Sequence, residues 1–236
     1  MKSPSILHLL YPESCIICEE PGDDFCISCS NRLKPVVISR QVEDITFVAG
    51  ALYDNDLAKI ILLAKESNSG TARRILTSYL FEAFLGSGTG MDASVSFVPL
   101  PSRKTANRIR GYKHATLLSK ALSQQIAHNL EIKTDVVDQL RVNRTILDQS
   151  NLGKGERIEN LAGAYSWGDR AGLRKSRPVG QSRTWILVDD LVTTGTTMRE
   201  GVRAMRAAGL NPMTVLSAGI VDRSMSHARL PNKIRL

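Results

Sequence analysis

The residues with the clearest chemical promise are two adjacent acids, Asp189 and Asp190, followed at once by Thr193, Thr194, Gly195, Thr196 and Thr197. They close a short apolar, partly β-branched run, Trp185 to Val188, of the kind that forms a central parallel strand covered on both faces. Open α/β sheets hold ligands at the carboxyl ends of such strands, which is where the two acids would fall. As acceptor-only anions they can take hydrogen bonds from vicinal sugar hydroxyls or hold a divalent cation. The turn after them offers successive backbone N–H groups and four threonine hydroxyls, with Gly195 permitting a conformation that a β-carbon resists. Met198, Val202 and Met205 then recur at helical spacing, and the helix is expected to end at Gly209 with Pro212 beyond. The unpaired amides and the positive dipole end of that helix suit a phosphate. A phosphorylated sugar would satisfy both acids and turn. The plainer alternative is a buried strand with a threonine-rich helix cap. Adjacent carboxylates at the end of an apolar strand are costly, however, unless something binds them.

All four cysteines of the chain fall in one short stretch, Cys15, Cys18, Cys26 and Cys29, spaced C-x2-C-x7-C-x2-C. Two close pairs can each present two thiolates to one tetrahedral ion, and such a knuckle needs little apolar core because the metal supplies the folding energy. Gly22 after Pro21 suits the tight return. The expected ion is Zn2+ in a structural role, since four protein ligands leave no open position for chemistry. The competing readings are two disulfides in a secreted module, which the lack of a recognisable leader opposes, and a redox Cys-x-x-Cys, which the doubled pairs disfavour.

Composition frames both sites. With 236 residues, 42% of them hydrophobic, the chain can bury one well-packed domain and carry a small appendage. Its 31 basic and 23 acidic residues give a net charge of +8. That field favours anionic partners, phosphate or nucleic acid, and serves a merely solvated surface equally well. The N-terminal apolar run is interrupted by His8 and closed by Pro12, too short for a membrane span and poor as a leader, so the expected address is the cytoplasm.

The elements that must position these groups follow from periodicity. Val36 to Ile38 and Ile45 to Ala51 lean to strand, and Asp54 or Asn55 can cap a helix carrying Leu57, Ile60, Ile61 and Ala64 on one face. After a polar break from Lys65 to Gly70, a second helix places Ile75, Leu76, Tyr79, Leu80, Ala83 and Phe84 at helical spacing. Gly86 to Gly90 reads as a flexible linker. Val95 to Val98 is a strand whose carboxyl-end loop carries Ser102, Arg103 and Lys104, suitable oxyanion donors. A helix bearing Leu118, Leu122, Ile126 and Leu130 follows, then a second core strand across Val136 to Leu140, and a last strand from Thr214 to Val221. Between them, residues 141–161 form a long, polar, glycine-punctuated segment, of a length that in a compact domain is functional or disordered. Residues 168–184 read as a basic surface insertion without aromatic stacking partners, and the tail from Arg223 is also basic. His114 reads as a capping or surface residue, because no carboxylate stands near it in sequence. Strand, loop and helix in repetition predict a Rossmann-like parallel sheet. The expected division is a zinc knuckle over 1–40, a helical and β lead-in over 41–90, and the main core over 91–236.

Ile186 to Thr197 resembles the phosphoribosyl-pyrophosphate motif of type I phosphoribosyltransferases: a hydrophobic run, two acids, then Thr-Thr-Gly-Thr-Thr. Within that superfamily the chain resembles ComF-type proteins along nearly its whole length. The four-cysteine start is similar, as are Arg108 to Tyr112 with its Arg-Gly-aromatic core, and the pattern Arg144, Thr145, Gln149, Leu152, Arg157 and Asn160. The resemblance implies a phosphoribosyltransferase-type core that binds 5-phosphoribosyl 1-pyrophosphate with Mg2+. Thr193 to Thr197 would hold the 5′-phosphate, Asp189 and Asp190 the ribose hydroxyls, and Ser102, Arg103 and Lys104 the pyrophosphate. Arg144, Thr145, Gln149, Arg157 and Asn160 would belong to a mobile hood that shields the diphosphate from water.

Two features depart from the pattern. Lys113 and His114 stand where the family commonly has an amide-bearing residue followed by Gln. Thr193 occupies the fifth position from the first acid, where purine-salvage relatives often carry another Asp, so no general base is assigned. Two functions follow from the resemblance. One is transfer of the phosphoribosyl group to an unknown nitrogen acceptor; the other is a non-catalytic competence role, sensing the diphosphosugar or handling single-stranded DNA during uptake. Self-association into a homo-oligomer is left open.

Overall fold

The protein is described by a computed structural model covering residues 14–90, 94–102, 108, 110–143, 163–168 and 183–222. Within them a six-stranded sheet runs in the order β1 (Ile38–Val42), β2 (Ile45–Ala49), β8 (Thr214–Ile220), β7 (Arg183–Val192), β3 (Ser94–Pro99) and β4 (Thr134–Val136). Neighbours from β2 through β4 are parallel, whereas β1 is the antiparallel hairpin partner of β2. The expected Rossmann-like class is what forms.

Parallel strands need cover on both faces, and every residue of β8 is buried. Alternation sends Val48, Phe97, Ile186, Val188 and Leu216 to one face, beneath α2 (Asn55–Glu66), α3 (Gly70–Ser87) and α4 (His114–Leu130). Phe47, Val98, Leu187 and Val215 go to the other, beneath α5 (Thr196–Ala207) and a separate two-stranded piece, β5 (Leu140–Val142) with β6 (Tyr165–Trp167). The short helix α1 (Ile27–Arg32) lies in the cysteine segment. No helix among the described residues is long and apolar enough to cross a membrane.

Local signals explain most boundaries. Asp54 caps α2 by accepting from the Leu57 N–H at 2.8 Å, and Leu57, Ile60, Ile61 and Ala64 are the buried face. Two expectations are corrected. Gly86 and Ser87 belong to α3, which ends at Gly88 in the left-handed conformation, because packing of Gly86 against Val37 carries the helix one turn further than its composition suggests. Val136 to Leu140 is not one strand: the Gln139 N–H bonds back to the Val137 carbonyl at 3.0 Å, so β4 stops and Leu140 starts a new antiparallel pairing with Trp167.

From β3 the chain passes through α4 to β4 on one side; from β7 it passes through α5 to β8 on the other. The order therefore reverses between β3 and β7. That reversal opens a crevice at their carboxyl ends, the usual ligand position in such sheets.

Candidate functional site

Strand β7 is longer than its apolar run, because Leu191 and Val192 still find ladder partners in Gly219 and Ile220 of β8. On its other side the pairing with β3 stops at Pro99 with Val188. Asp189 and Asp190 consequently project past the end of one neighbour while the other holds them rigidly. Pleat alternation turns Asp190 toward the helices α2 to α4, with Ile186 and Val188, and turns Asp189 the opposite way.

Asp190 is 3% exposed and does not face solvent. Its Oδ2 meets Lys65 Nζ at 2.5 Å and lies 3.8 Å from His114 Nε2. Asp189 Oδ1 accepts the Asp190 N–H at 2.9 Å. Lys65 comes from the last turn of α2, and that turn is clasped from outside: Tyr112 OH donates to the carbonyls of Lys65 and Ala64 at 2.5 and 3.0 Å, and Arg110 donates twice to Glu66 Oε1 at 2.8 and 3.1 Å. The Arg-Gly-aromatic stretch thus fixes the lysine that meets the acid.

His114 is corrected as well. It is 2% exposed, at the start of α4 under the sheet edge. Its carboxylate neighbour, Asp190, comes from a strand far along the chain, which is why local sequence could not show it.

Burial raises the cost of charge on all four groups, and their mutual arrangement decides which remain ionised. Burial alone would push Asp190 up, but Lys65 and His114 outweigh it and hold the carboxyl below its usual range. Burial and the Asp190 charge push Asp189 well above. Burial opposes the Lys65 charge, yet Asp190 and Asp189 keep its pKa raised. Burial takes His114 down to about 4, leaving a neutral imidazole at neutral pH.

A stability test follows from the raised Asp189. Its contribution is complete below the unfolded value and is withdrawn as pH rises through the folded one. Asp189→Asn is expected to be more stable than the native chain, by a margin that grows from pH 4 to pH 8 in urea unfolding. A margin that shrinks over this range would contradict the assignment.

The turn after β7 leads straight into the N-terminus of α5. Gly195 sits in the left-handed region at φ 75°, and a β-carbon there would lie 3.3 Å from the Phe47 ring. Thr194 Oγ1 and Thr196 Oγ1 are 2.9 Å apart, the Thr196 N–H donates to Thr194 Oγ1 at 3.4 Å, and Gly195, the residue before α5, brings no side-chain cap of its own. Beside the turn is a cavity of about 410 Å3 lined by Thr193, Thr194 and Gly195, by Arg199 of α5, and by Arg40 and Gln41 of β1. Arg40 is held by the Asp222 carboxylate at 2.9 Å, and Arg199 by Glu43. The β1–β2 hairpin is thereby tied to the first turn of α5. Ser102 stands half-buried beyond the end of β3. Arg103, Lys104, Arg144, Thr145, Gln149, Arg157 and Asn160 lie outside the described residues.

The four cysteines form a second centre. All four Sγ atoms lie within 4.8 Å of one another, with Cys18 and Cys26 at 3.6 Å. Sulfurs around a tetrahedral zinc are spaced about 3.8 Å apart, given Zn–S bonds of about 2.3 Å. The Cys29 N–H donates to Cys26 Sγ at 3.4 Å, and Arg32 Nη2 approaches Cys29 Sγ at 3.8 Å. The thiols are free, against the disulfide alternative. Packed so closely, they do not ionise together without a cation. Burial resists ionisation of Cys15, but the amides of Cys18, Cys26 and Ile17 bring it down to about 6. At Cys18 the help of the Glu20 amide is outweighed by burial and the other sulfurs, which push it up to about 12. The set could bind a zinc ion.

Fold and site together define a Rossmann-like α/β protein with an acid pair and a threonine turn at its topological switch point and a four-thiol knuckle at its N-terminal side. The chain is similar to Competence protein F of Haemophilus influenzae, with 26% identity over 207 residues, covering 87% of this chain and 77% of that protein. No protein-family model matches the chain.

Proposed function

We propose that the crevice binds 5-phosphoribosyl 1-pyrophosphate and that the chain is a ComF-like phosphoribosyltransferase-type protein. The observation that carries this reading is the placement of an acid pair and a threonine-rich helix start, with glycine at its cap position, on one strand-turn-helix unit at the sheet's reversal point. In it, the turn amides and hydroxyls of Thr193 to Thr197 take the 5′-phosphate, and Asp189 accepts from the ribose hydroxyls. Ser102, Arg103 and Lys104 receive the diphosphate, and the segment with Arg144, Thr145, Gln149, Arg157 and Asn160 covers it. The acid pair does not fit a protein-held Mg2+, because Asp190 already meets an ammonium; Mg2+ would have to arrive on the diphosphate oxygens.

The reaction such a site supports is displacement at the anomeric carbon. A nitrogen lone pair forms the new C–N bond as the C–O bond breaks, and that electron pair leaves with pyrophosphate. The protein's share is orientation and stabilisation of charge on the leaving group. Asp189→Ala is expected to weaken diphosphosugar binding about 5- to 30-fold, as for one or two lost hydrogen bonds of about 1 kcal/mol each. Calorimetry giving native affinity would remove Asp189 from the site. A screen of nucleobases and amines, read by pyrophosphate release, separates a transferase from a sensor of the diphosphosugar.

A second reading, a competence role, draws on the name of the Haemophilus influenzae relative, and single-stranded DNA as its ligand draws on the net charge of +8. Its mark would be specific binding that survives added salt. Weak binding that collapses with salt and ignores Asp189 would indicate bare electrostatics.

A further inference from the structure

We propose that Lys65 is the resident cation of the acid pair, a positioning residue whose ammonium stands where a divalent metal ion would otherwise be held, so that the pair can receive sugar hydroxyls with no protein-bound metal. This deepens the reading of the crevice above and rests on it for the identity of the sugar.

Asp190 and the imidazole of His114 supply, side by side, the carboxylate and imidazole ligand types that divalent metals use. The His114 Nε2 is buried and makes no hydrogen bond among the described residues, and it lies 3.8 Å from Asp190 Oδ2. Hard divalent ions seek such oxygens. Here that position is taken: Lys65 Nζ lies 2.5 Å from the same Oδ2.

Nor is the lysine a loose surface side chain that happens to reach inward. Its own carbonyl accepts from Tyr112 OH at 2.5 Å, and its neighbour Glu66 is gripped by Arg110 at 2.8 Å. Both fasteners come from the segment leading into α4, which also delivers His114. One stretch of chain therefore sets both the lysine and the imidazole beside the same carboxylate oxygen.

The charge count explains what this achieves. Two carboxylates and one ammonium leave at most one negative charge in a poorly solvated place. That is enough to accept from hydroxyls, but weak bait for a dication that must shed water to enter. A fixed ammonium also turns Asp190 away from the ligand, so the ligand meets Asp189 first.

The probe is Mn2+ alone, followed by electron paramagnetic resonance on the full chain with its cysteines saturated by zinc. In the native protein, no Mn2+ site that Asp189→Asn abolishes is expected up to millimolar metal. Lys65→Met is expected to bind Mn2+ about tenfold tighter or more, a gain of about 1.4 kcal/mol, and to lose it again when Asp190→Asn is added. Lys65→Arg, which keeps the charge, is expected to behave as native. A native Mn2+ site lost in Asp189→Asn overturns the proposal, as does a folded Lys65→Met chain that binds no tighter. If Lys65→Met does not fold, the native chain and Lys65→Arg decide by the same criterion. Since no sugar is present, this result stands apart from the diphosphosugar calorimetry, and either can fail alone.

Discussion

Asp190→Ala is expected to destabilise the protein by about 3 kcal/mol, because removing one member of a buried ion pair strands the other. The side chain of Asp190 is 4% exposed and that of Lys65 is 28% exposed. Water can therefore relieve the orphaned ammonium in part, which places the loss near the lower end of the usual range of about 3–5 kcal/mol. His114 would also lose its nearest carboxylate. Asp190→Ala combined with Lys65→Met should recover much of the loss, since a missing pair costs far less than a broken one. Urea midpoints at pH 7 give all three values. A loss under roughly 1 kcal/mol for Asp190→Ala, as for an exposed pair, would mean that the contact between Lys65 and Asp190 does not form. The pH course adds a check. The depressed Asp190 contributes stability that is present above the unfolded carboxyl value and disappears as pH falls through the folded one.

Removal of zinc is expected to act still more widely. The purified chain should contain one zinc, and a chelator that strips it, or Cys18→Ser, should unfold the cysteine segment, since such segments draw about 10–16 kcal/mol from the metal. The effect should not stay local. Cys15 and Cys29 are buried in the same core as Leu57, Leu76 and Tyr79. Lys59 donates to the Ile17 carbonyl at 3.0 Å and to Glu19 at 2.9 Å, Arg74 pairs with Asp24 at 2.8 Å, and Arg32 with Asp56. Loss of this cover should cost the whole molecule at least about 3 kcal/mol, or roughly 6–12 °C in melting temperature for a chain of this size. Metal analysis finding no zinc after purification under reducing conditions would count against the assignment, and so would a melt indifferent to chelation.

Much of this architecture is legible in the sequence, and the reasons differ by element. The buried face of α2 is legible because four apolar residues repeat with the helical period and Asp54 precedes them. Strand β8 is legible because a short, mostly apolar run, broken only by Ser217 after Thr214, fits a doubly covered strand or a buried helix, and its length favours the strand. The threonine turn and the cysteine cluster are legible because their residue types have few other uses at that spacing. What sequence hides is contact between distant segments. Lys65 reads as the start of a polar break, and its meaning comes from Asp190, which only the tertiary fold brings near. His114 is hidden for the same reason. The end of β4 at Val136 is hidden because the competing partner of residues 140–142, strand β6, lies beyond a long intervening segment.

Strand β2, at residues 45–49, has parallel pairing only with residues 214–217, almost the last of the described chain. A nascent polypeptide must therefore keep its early apolar segments waiting through most of its synthesis before the sheet can close around them. High contact order of this kind slows folding and lengthens exposure of sticky surface. The cysteine segment, whose metal can be bound as soon as four nearby thiols have emerged, is well placed to act as an early local anchor during that wait.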